Sequence, residues 1–467
     1  MTGSTQMEVI LPPVHKGLTT LNKDLFKTTL HLVAFRLPPH KCGPAMKALK
    51  GGTILELPRL RSIVEDPKDL AAGIDKGAAN RLLLLNPSIQ EPSIDSLTPA
   101  AQEFATKENV ELTTYDVDLD YDYWGADQIL RSILPDELDV PSSFETAGHI
   151  AHLNLRDQYN PYKKIIGEVL LDKCRNLRTV VNKTDSIDHT FRTFRMELLA
   201  GDDDMVAELK ESNCLLRFDF SKVYWNSRLQ GEHDRLVRSF KPGQLICDVM
   251  AGVGPFALPA AKNLSCTVFA NDLNPESHKW LVENIASNKV GHRVRPYNMD
   301  GREFIRQSII DLNNPDVWRD IDAKAPPKKK QRTSKEQKSQ TKLDPPVDPA
   351  TSSTTADDPS PAKTYKVFNH YVMNLPATAI EFLDAYRGLL HGKEDQVSVA
   401  DLPIIHCHCF SRAADTRTDV IQRVEAIIKA PLGDNVLDVY DVRNVAPNKE
   451  MMCISFRLPA EVAFAAP

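Results

Sequence analysis

From Tyr115 to Tyr123 the chain alternates apolar and acidic residues, YDVDLDYDY. A period of two puts Tyr115, Val117, Leu119, Tyr121 and Tyr123 on one face of a strand and four aspartates on the other. Asp116, Asp118 and Asp120 also invite a calcium loop. That loop needs glycine at its sixth position and glutamate at its twelfth, where this chain has Tyr121 and Asp127. The pattern therefore predicts a strand. Ser142-Ser143-Phe144-Glu145 has the form of a capping box, and Asn160-Pro161 that of an N-cap followed by proline at the first helical position, so both mark expected helix starts. From Leu245 to Met250 the run LICDVM reads as a buried strand; it enters the turn AGVGPF and then a helical stretch, ALPAAKN. Further strands are predicted at 266–271, 294–299 and 365–373. The runs Val397–Val399, His406–Phe410 and Val436–Arg457 supply the rest.

Composition adds a boundary and removes several classes. Between Asp320 and Lys363 the chain is rich in Lys, Ser, Thr, Pro and Asp and almost free of apolar residues, so a disordered insertion is expected there. Its Pro326–Arg332 run, PPKKKQR, reads equally as a nuclear-import signal or as solvated linker charge. Pro135 and Pro141 bracket a polar turn. Together these features divide the 467 residues into an N-terminal α+β domain (1–137), an α+β domain carrying a basic segment (138–235), and an α/β domain (236–467) interrupted by the insertion at 320–363. With 42% hydrophobic residues, a mean hydropathy of −0.32 and no apolar run of membrane-spanning length, an integral membrane protein is excluded. The net charge of −6 argues against a uniformly basic nucleic-acid coat. A local basic face is still present: residues 151–200 carry nine Lys/Arg against six Asp/Glu, which makes this stretch a candidate RNA-facing segment or an ordinary mixed surface. Eight scattered cysteines without a C-x-x-C suit reduced thiols. The first residues lack an apolar signal core; their first acid is Glu8, with Lys16, Lys23 and Lys27 following, so a mitochondrial address stays open.

The candidate chemistry lies at the ends of the predicted strands. Residues 252–257 read G-V-G-P-F-A, glycines that let backbone pass close to a ligand. Taken alone, the motif is ambiguous. The second strand ends in Asp272-Leu273-Asn274-Pro275, where a carboxylate can accept both hydrogen bonds of a ribose diol. The third ends at Asp300-Gly301-Arg302, where an acid can receive an adenine amino group. The fourth ends in Asn374-Leu375-Pro376, whose amide both donates and accepts. Each has a bland reading, as N-cap or turn. Four such ends in this order give a stronger signal than any one of them. His406-Cys407-His408-Cys409 suggests zinc, but on a strand the histidines face one way and the cysteines the other, so no metal is assigned.

This assembly resembles a class I S-adenosylmethionine-dependent methyltransferase, which implies a Rossmann-like, mostly parallel sheet with helices on both faces. By that resemblance Gly252 and Gly254 pass under the methionine moiety, Asp272 holds the ribose and Asp300 faces the adenine. His233, Asp248, Leu273, Gly301 and Asn374 complete the implied cofactor contacts. With Phe191-Arg192-Thr193, the segment SKVYWNSRL at 221–229 and Glu232-His233-Asp234-Arg235-Leu236, the chain from about residue 140 onward is similar to archaeal and eukaryotic tRNA (guanine-N1)-methyltransferases, which modify guanosine 37 beside the anticodon. The resemblance implies that Glu232 is the general base at N1, that Arg192 stabilises charge on O6, and that Asn374 holds the guanine as well as the cofactor. Arg195, one helical turn from Arg192, is the alternative; the F-R-T context favours Arg192. From spacing alone, Glu232 between Arg228 and Arg235 reads as a surface ion pair.

The same resemblance implies tRNA as partner, engaged through its anticodon stem-loop and, by residues 1–137, through its body. It leaves cytoplasm, nucleus and mitochondrial matrix as expected compartments, and a monomer is expected because no helical seam or repeated interface pattern appears. Three rivals stand beside it: the wybutosine-pathway aminocarboxypropyl transferase, a catalytically silent tRNA-binding protein, and an NAD oxidoreductase. The N-L-P at 374–376 favours methyl transfer over the first.

Overall fold

The structure, a computed structural model, describes residues 10–49, 51–141, 143–184, 195–323 and 365–466. Packing divides these into two compact units rather than the three segments read from composition. One unit holds the residues up to 145 with 149–184 and 196–203; the other holds those from 204 onward with 146–148 and Arg195. The segment 204–235 therefore packs with the C-terminal sheet. Arg192, the PPKKKQR run and nearly all of the expected insertion lie outside the described residues; only the helix Pro315–Ala323 reaches into the insertion's first positions.

In the first unit a four-stranded antiparallel sheet runs in the order Ile63–Glu65, Arg81–Leu84, Thr28–Leu37, Glu111–Leu119. Alternation along Thr28–Leu37 sends Val33, Phe35 and Leu37 into a core with Ala45, Leu49 and Phe104, while Leu32 and Ala34 pack with Leu82 and Leu84 on the opposite face. The acidic alternation is a strand, as predicted, but it ends at Leu119. Asp120 accepts the amides of Asp122 and Tyr123 (3.0 and 3.3 Å) and turns the chain into a single 3-10 turn, which carries Tyr121 into the core. Asp116 and Asp118 are engaged by His31 and Thr29 across the strand pair, both at 2.7 Å. Two expected helix starts are also corrected. Glu145–Ala147 is a short strand, and Asn160 closes a 3-10 turn, so the helix begins only at Lys163.

The second unit is built on a seven-stranded sheet. Its order is Val294–Tyr297, Thr267–Asn271, Leu245–Asp248, His370–Met373, Ile404–Ser411, Lys449–Arg457, Val436–Ala446. The first five strands are parallel; Lys449–Arg457 runs against them, and Val436–Ala446, paired antiparallel with it, returns to their direction. Buried on both faces, the central strands read as near-continuous apolar runs; Cys247, Phe269, Tyr371, Ile405, Cys407 and Cys409 are among their core residues. The order reverses between Leu245–Asp248 and His370–Met373, and that switch point is where a doubly wound sheet opens a crevice at its strand ends. Ahead of the sheet stand the hairpin Val206–Glu211/Cys214–Asp219 and the helix Gln230–Ser239. The fourth predicted strand is shorter than expected, His370–Met373. Val397–Val399 is not a strand: Ser398 accepts the Ala400 amide (3.2 Å) and caps a 3-10 turn. Among the described residues no helix is long and apolar enough to cross a membrane.

Candidate active site

A cleft opens at the carboxyl ends of the first four parallel strands. Its walls come from the glycine turn (Val249–Val253, Pro255, Phe256), from Asn271–Asn274 with Ser277, from Asp300-Gly301, from Asn374-Leu375-Pro376 with Phe382, and from Tyr224–Asn226, Leu229 and His233 in front. Of the residues singled out in the sequence it gathers Gly252, Asp272, Leu273, Asp300, Gly301, Asn374 and His233. Three others do not line it: Gly254, Asp248 and Glu232.

The turn is locked to the second strand by side chain and backbone. Gly252, at φ +55°, donates its amide to Asp272 Oδ2 at 2.8 Å, and the Asn274 amide donates to Oδ1 at 2.9 Å. A Cβ on Gly252 would meet nothing within 4 Å, so the turn leaves room on the cleft side. Gly254, at φ +100°, is different: a Cβ there would lie 2.9–3.0 Å from Leu258 and Leu281. Its missing side chain lets the following helix close against the turn. Asn274 caps the next helix through the Glu276 amide (3.0 Å), and Asp300 caps Gly301–Leu312 through the Arg302 and Glu303 amides (2.8 and 3.4 Å). The capping reading of these strand ends is thus met, and it is compatible with the ligand reading, because a cap places its side chain at the mouth where strand meets helix.

Charges are arranged in depth. Burial pushes the Asp272 carboxyl up, against the pull of its two amides. Below it, fully enclosed Asp248 has no hydrogen-bond partner on either oxygen; burial and the neighbouring Asp272 raise it to about 8, far above the usual carboxylate range. Asn374 Oδ1 is likewise buried without a partner at the cleft wall. A nucleoside with a diol and an amino group fits this set of acceptors: Asp272 for the diol, Asp300 for the amino group, and Asn374 with an oxygen still to satisfy.

Leu229, Glu232 and His233 share one face of the helix start. His233 lines the cleft, meets Phe256 edge to face with Trp225 tilted beside it, and bonds Glu211 at 2.6 Å. Glu232 is 5% exposed, so it is no surface ion pair. Arg235 Nε and Nη2 donate to its two oxygens at 2.6 and 2.8 Å, and His408 Nε2 to Oε1 at 2.7 Å. Burial alone would raise this carboxyl; the bonds from Arg235 and His408 outweigh that and hold it down at about 2. His408, by contrast, rises to about 10: burial opposes its charge, but Cys453 and Glu232 beside it prevail. Glu232, His408 and Cys453 are close enough to hold a metal ion. With Arg235 and His408 already on the carboxylate, however, the donor set is a charge cluster. The two histidines of the H-C-H-C run point to the polar side and the two cysteines into the core, as strand geometry required. Sequence reading missed Glu211, Trp225, Phe256 and the pairing of His408 with Glu232. Only the aromatic pair Tyr224-Trp225 carried a local signal.

A family model described as TRM5/TYW2 methyltransferase domain matches residues 207–313, and one described as TYW2 N-terminal domain matches residues 126–204. Over 98% of its length the chain is 55% identical to a tRNA (guanine(37)-N(1))-methyltransferase from Batrachochytrium dendrobatidis, covering 92% of that relative. A protein of the same name from Schizosaccharomyces pombe is 46% identical over 96% of both chains. Among solved structures, the complex of aTrm5 with tRNALeu has a similar fold, with a TM-score of 0.59, 19% identity, and coverage of 91% of this chain and 100% of that one.

Proposed function

The chain belongs to the tRNA (guanine(37)-N(1))-methyltransferase family, and from that premise we propose that it transfers a methyl group from S-adenosylmethionine to N1 of guanosine 37 in tRNA. The observation that carries this reading is the 55% identity over 98% of the chain. The cleft at the switch point of the sheet suits the cofactor's nucleoside, and the sulfonium supplies an electrophilic methyl group.

In this reading each of the chain's own residues takes a part. Asp272 and Asp300 hold ribose and adenine, with Gly252 and Gly301 giving backbone access and Leu273 closing the outer side. Asn374 offers its unpartnered oxygen at the point where base and cofactor meet. Asp248, without a hydrogen-bond partner on either oxygen, is set back from the cleft lining. Guanine N1 carries a proton at neutral pH and becomes nucleophilic when it leaves. A positioned carboxylate contributes about 10²–10⁴ in rate to such a step. Glu232 takes this role, and Arg192 the guanidinium partner of O6, where negative charge spreads as N1 is deprotonated. A guanine stacked in the anticodon loop flips out to reach the cleft. The N-terminal unit engages the tRNA body.

Incubation with labelled S-adenosylmethionine and two tRNA transcripts, one with G37 and one with A37, followed by nuclease digestion and mass analysis, tests the reading. The expected product is 1-methylguanosine from the G37 transcript alone. An aminocarboxypropyl adduct would move the protein to the wybutosine-type reaction, and binding without transfer would make it a silent tRNA binder.

A further inference from the structure

We propose that Arg235 and His408 are positioning residues of the reaction: they hold Glu232 ionised in a site dry enough to protonate it, and leave one lone pair of Oε2 open for the guanine N1 proton. The inference rests on the reading of Glu232 as the base. An ionised carboxylate offers about four acceptor sites. Three are taken here, two on Oε1 by His408 Nε2 and Arg235 Nη2, and one on Oε2 by Arg235 Nε. One site on Oε2 is therefore left without a donor among the described residues; Glu232 is nearly enclosed and does not line the cleft, so the guanine edge has to reach it past the residues that do.

The two donors come from different elements and differ in freedom. Arg235 stands one helical turn after Glu232; its side chain is 26% exposed, and its guanidinium lies over the Tyr440 ring at 4.1 Å. His408 comes from the strand Ile404–Ser411 and its side chain is wholly enclosed. A lone carboxyl in this place would be neutral, since burial disfavours the charged form, and a neutral acid cannot accept the N1 proton. Two adjacent cations reverse that. The other groups facing the cluster are Cys453 on Lys449–Arg457, His406 two positions from His408, Asp248 toward His408, and Asp438 toward Arg235. None of these donates a hydrogen bond to the Glu232 carboxylate among the described residues.

The proton balance is simple. The N1–H bond of guanine breaks, the proton ends on Oε2 of Glu232, and the electron pair stays on N1; Arg235 and His408 keep their own protons throughout. The same two cations then make the protonated acid unstable, so it releases its proton once product has left.

The experiment uses the full chain with a G37 tRNA transcript and follows single- and multiple-turnover methylation from pH 3.5 to 9, the points below pH 5.5 taken by brief pH-jump single turnovers, for wild type, Arg235→Gln, Arg235→Lys, His408→Gln and Glu232→Gln. Removing one cation next to a carboxylate raises its pKa by about 1–3 units. The acidic limb of kcat is therefore expected to move from about 2 to about 3–5 in Arg235→Gln and in His408→Gln, whereas wild type keeps a flat profile over this range. KM for tRNA and for S-adenosylmethionine should stay within about twofold, and raising the pH should restore the rate. Arg235→Lys should recover much of the shift. A loss of equal size at every pH in Arg235→Gln, whose side chain is partly exposed and tolerant, would overturn the proposal even if His408→Gln fails to fold. Wild-type rates in Glu232→Gln would instead overturn the reading of the base. A dead Glu232→Gln beside unmoved limbs in the other two variants would sink the positioning role alone.

Discussion

The cofactor cleft and the charge cluster behind it share the helix Gln230–Ser239, yet they are made of different materials. The cleft is largely backbone: strand ends, a two-glycine turn, and amides that fasten Asp272 from residues two and twenty positions away. The cluster is side chain on side chain, and its Glu232–His408 bond joins residues 176 positions apart. A backbone site is redundant, because several atoms share each task. A buried ion cluster is not, since removing one member leaves another charged and unpaired. Substitutions in the cluster should therefore strike the chemical step, whereas those in the cleft should strike binding or folding.

The largest effect expected from that contrast is in Glu232→Gln, with kcat lower by about 10²–10⁴ and cofactor affinity unchanged, measured by single-turnover methylation and calorimetry. A parallel loss of cofactor binding would dissolve the distinction between the two regions. Next comes Asp272→Asn. An amide has one acceptor oxygen for two backbone N–H groups, so one amide in a buried turn goes unmet, at about 1–3 kcal/mol. S-adenosylmethionine should bind roughly 10–100-fold more weakly, with kcat at saturation much less affected. Smaller still is the effect of Gly254→Ala, where the new methyl would press on Leu258 and Leu281. A cost of about 1–3 kcal/mol should lower the Tm of the C-terminal unit by several degrees. Gly252→Ala, with open space around the added carbon, should cost less stability and show its effect in cofactor affinity instead.

The same contrast explains what could be read from the sequence. The cleft was legible because each part is a local pattern: an apolar run, then glycine, acid or N-L-P at the next bend. The cluster was only half legible. Arg235 is one turn from Glu232 and visible in the spacing, but nothing around His408 announces a partner on a helix far upstream. The period-two rule did place His406 and His408 on one face, without saying what that face meets. Local rules also failed where a side chain overruled them: Asp120 ended a strand that alternation carried to Tyr123, and Ser398 turned a short apolar run into a 3-10 turn. The two compact units follow another logic than the division at 138. Prolines mark a bend in the chain, whereas compact units are set by which strands pair, and Thr179–Lys183 pairs with Met196–Gly201 within the first unit.

The finest test of the comparison lies among the histidines themselves. His370 and His406 are stacked, with Nδ1 of His370 and Nε2 of His406 3.0 Å apart. The Gln244 oxygen, which accepts the Lys241 amide, can only accept, so His370 Nε2 donates to it at 3.1 Å. His370 Nδ1 must then accept from His406, and His406 Nδ1 from the Ser455 hydroxyl at 2.7 Å. Every ring nitrogen is used in the neutral form. Burial, with Arg457 and Lys241 nearby, accordingly pushes His370 down to about 4, while His408 on the same sheet rises to about 10. A histidine with a folded value near 4 against 6.5 when unfolded takes up a proton on unfolding across that interval. Its contribution to stability is complete above pH 6.5 and is lost as the pH falls toward 4. His408 runs the other way: its contribution is complete below pH 6.5 and is lost as the pH rises toward 10. Between pH 7 and pH 6 each changes by less than about 1 kcal/mol, or about 1–3 °C in Tm for a unit of this size. Calorimetric melts of wild type, His370→Gln and His408→Gln at the two pH values should show the first gap narrowing on acidification and the second widening. Gaps that stayed parallel would mean that the two rings carry the same charge, and the contrast between neutral relay and charged cluster would fall.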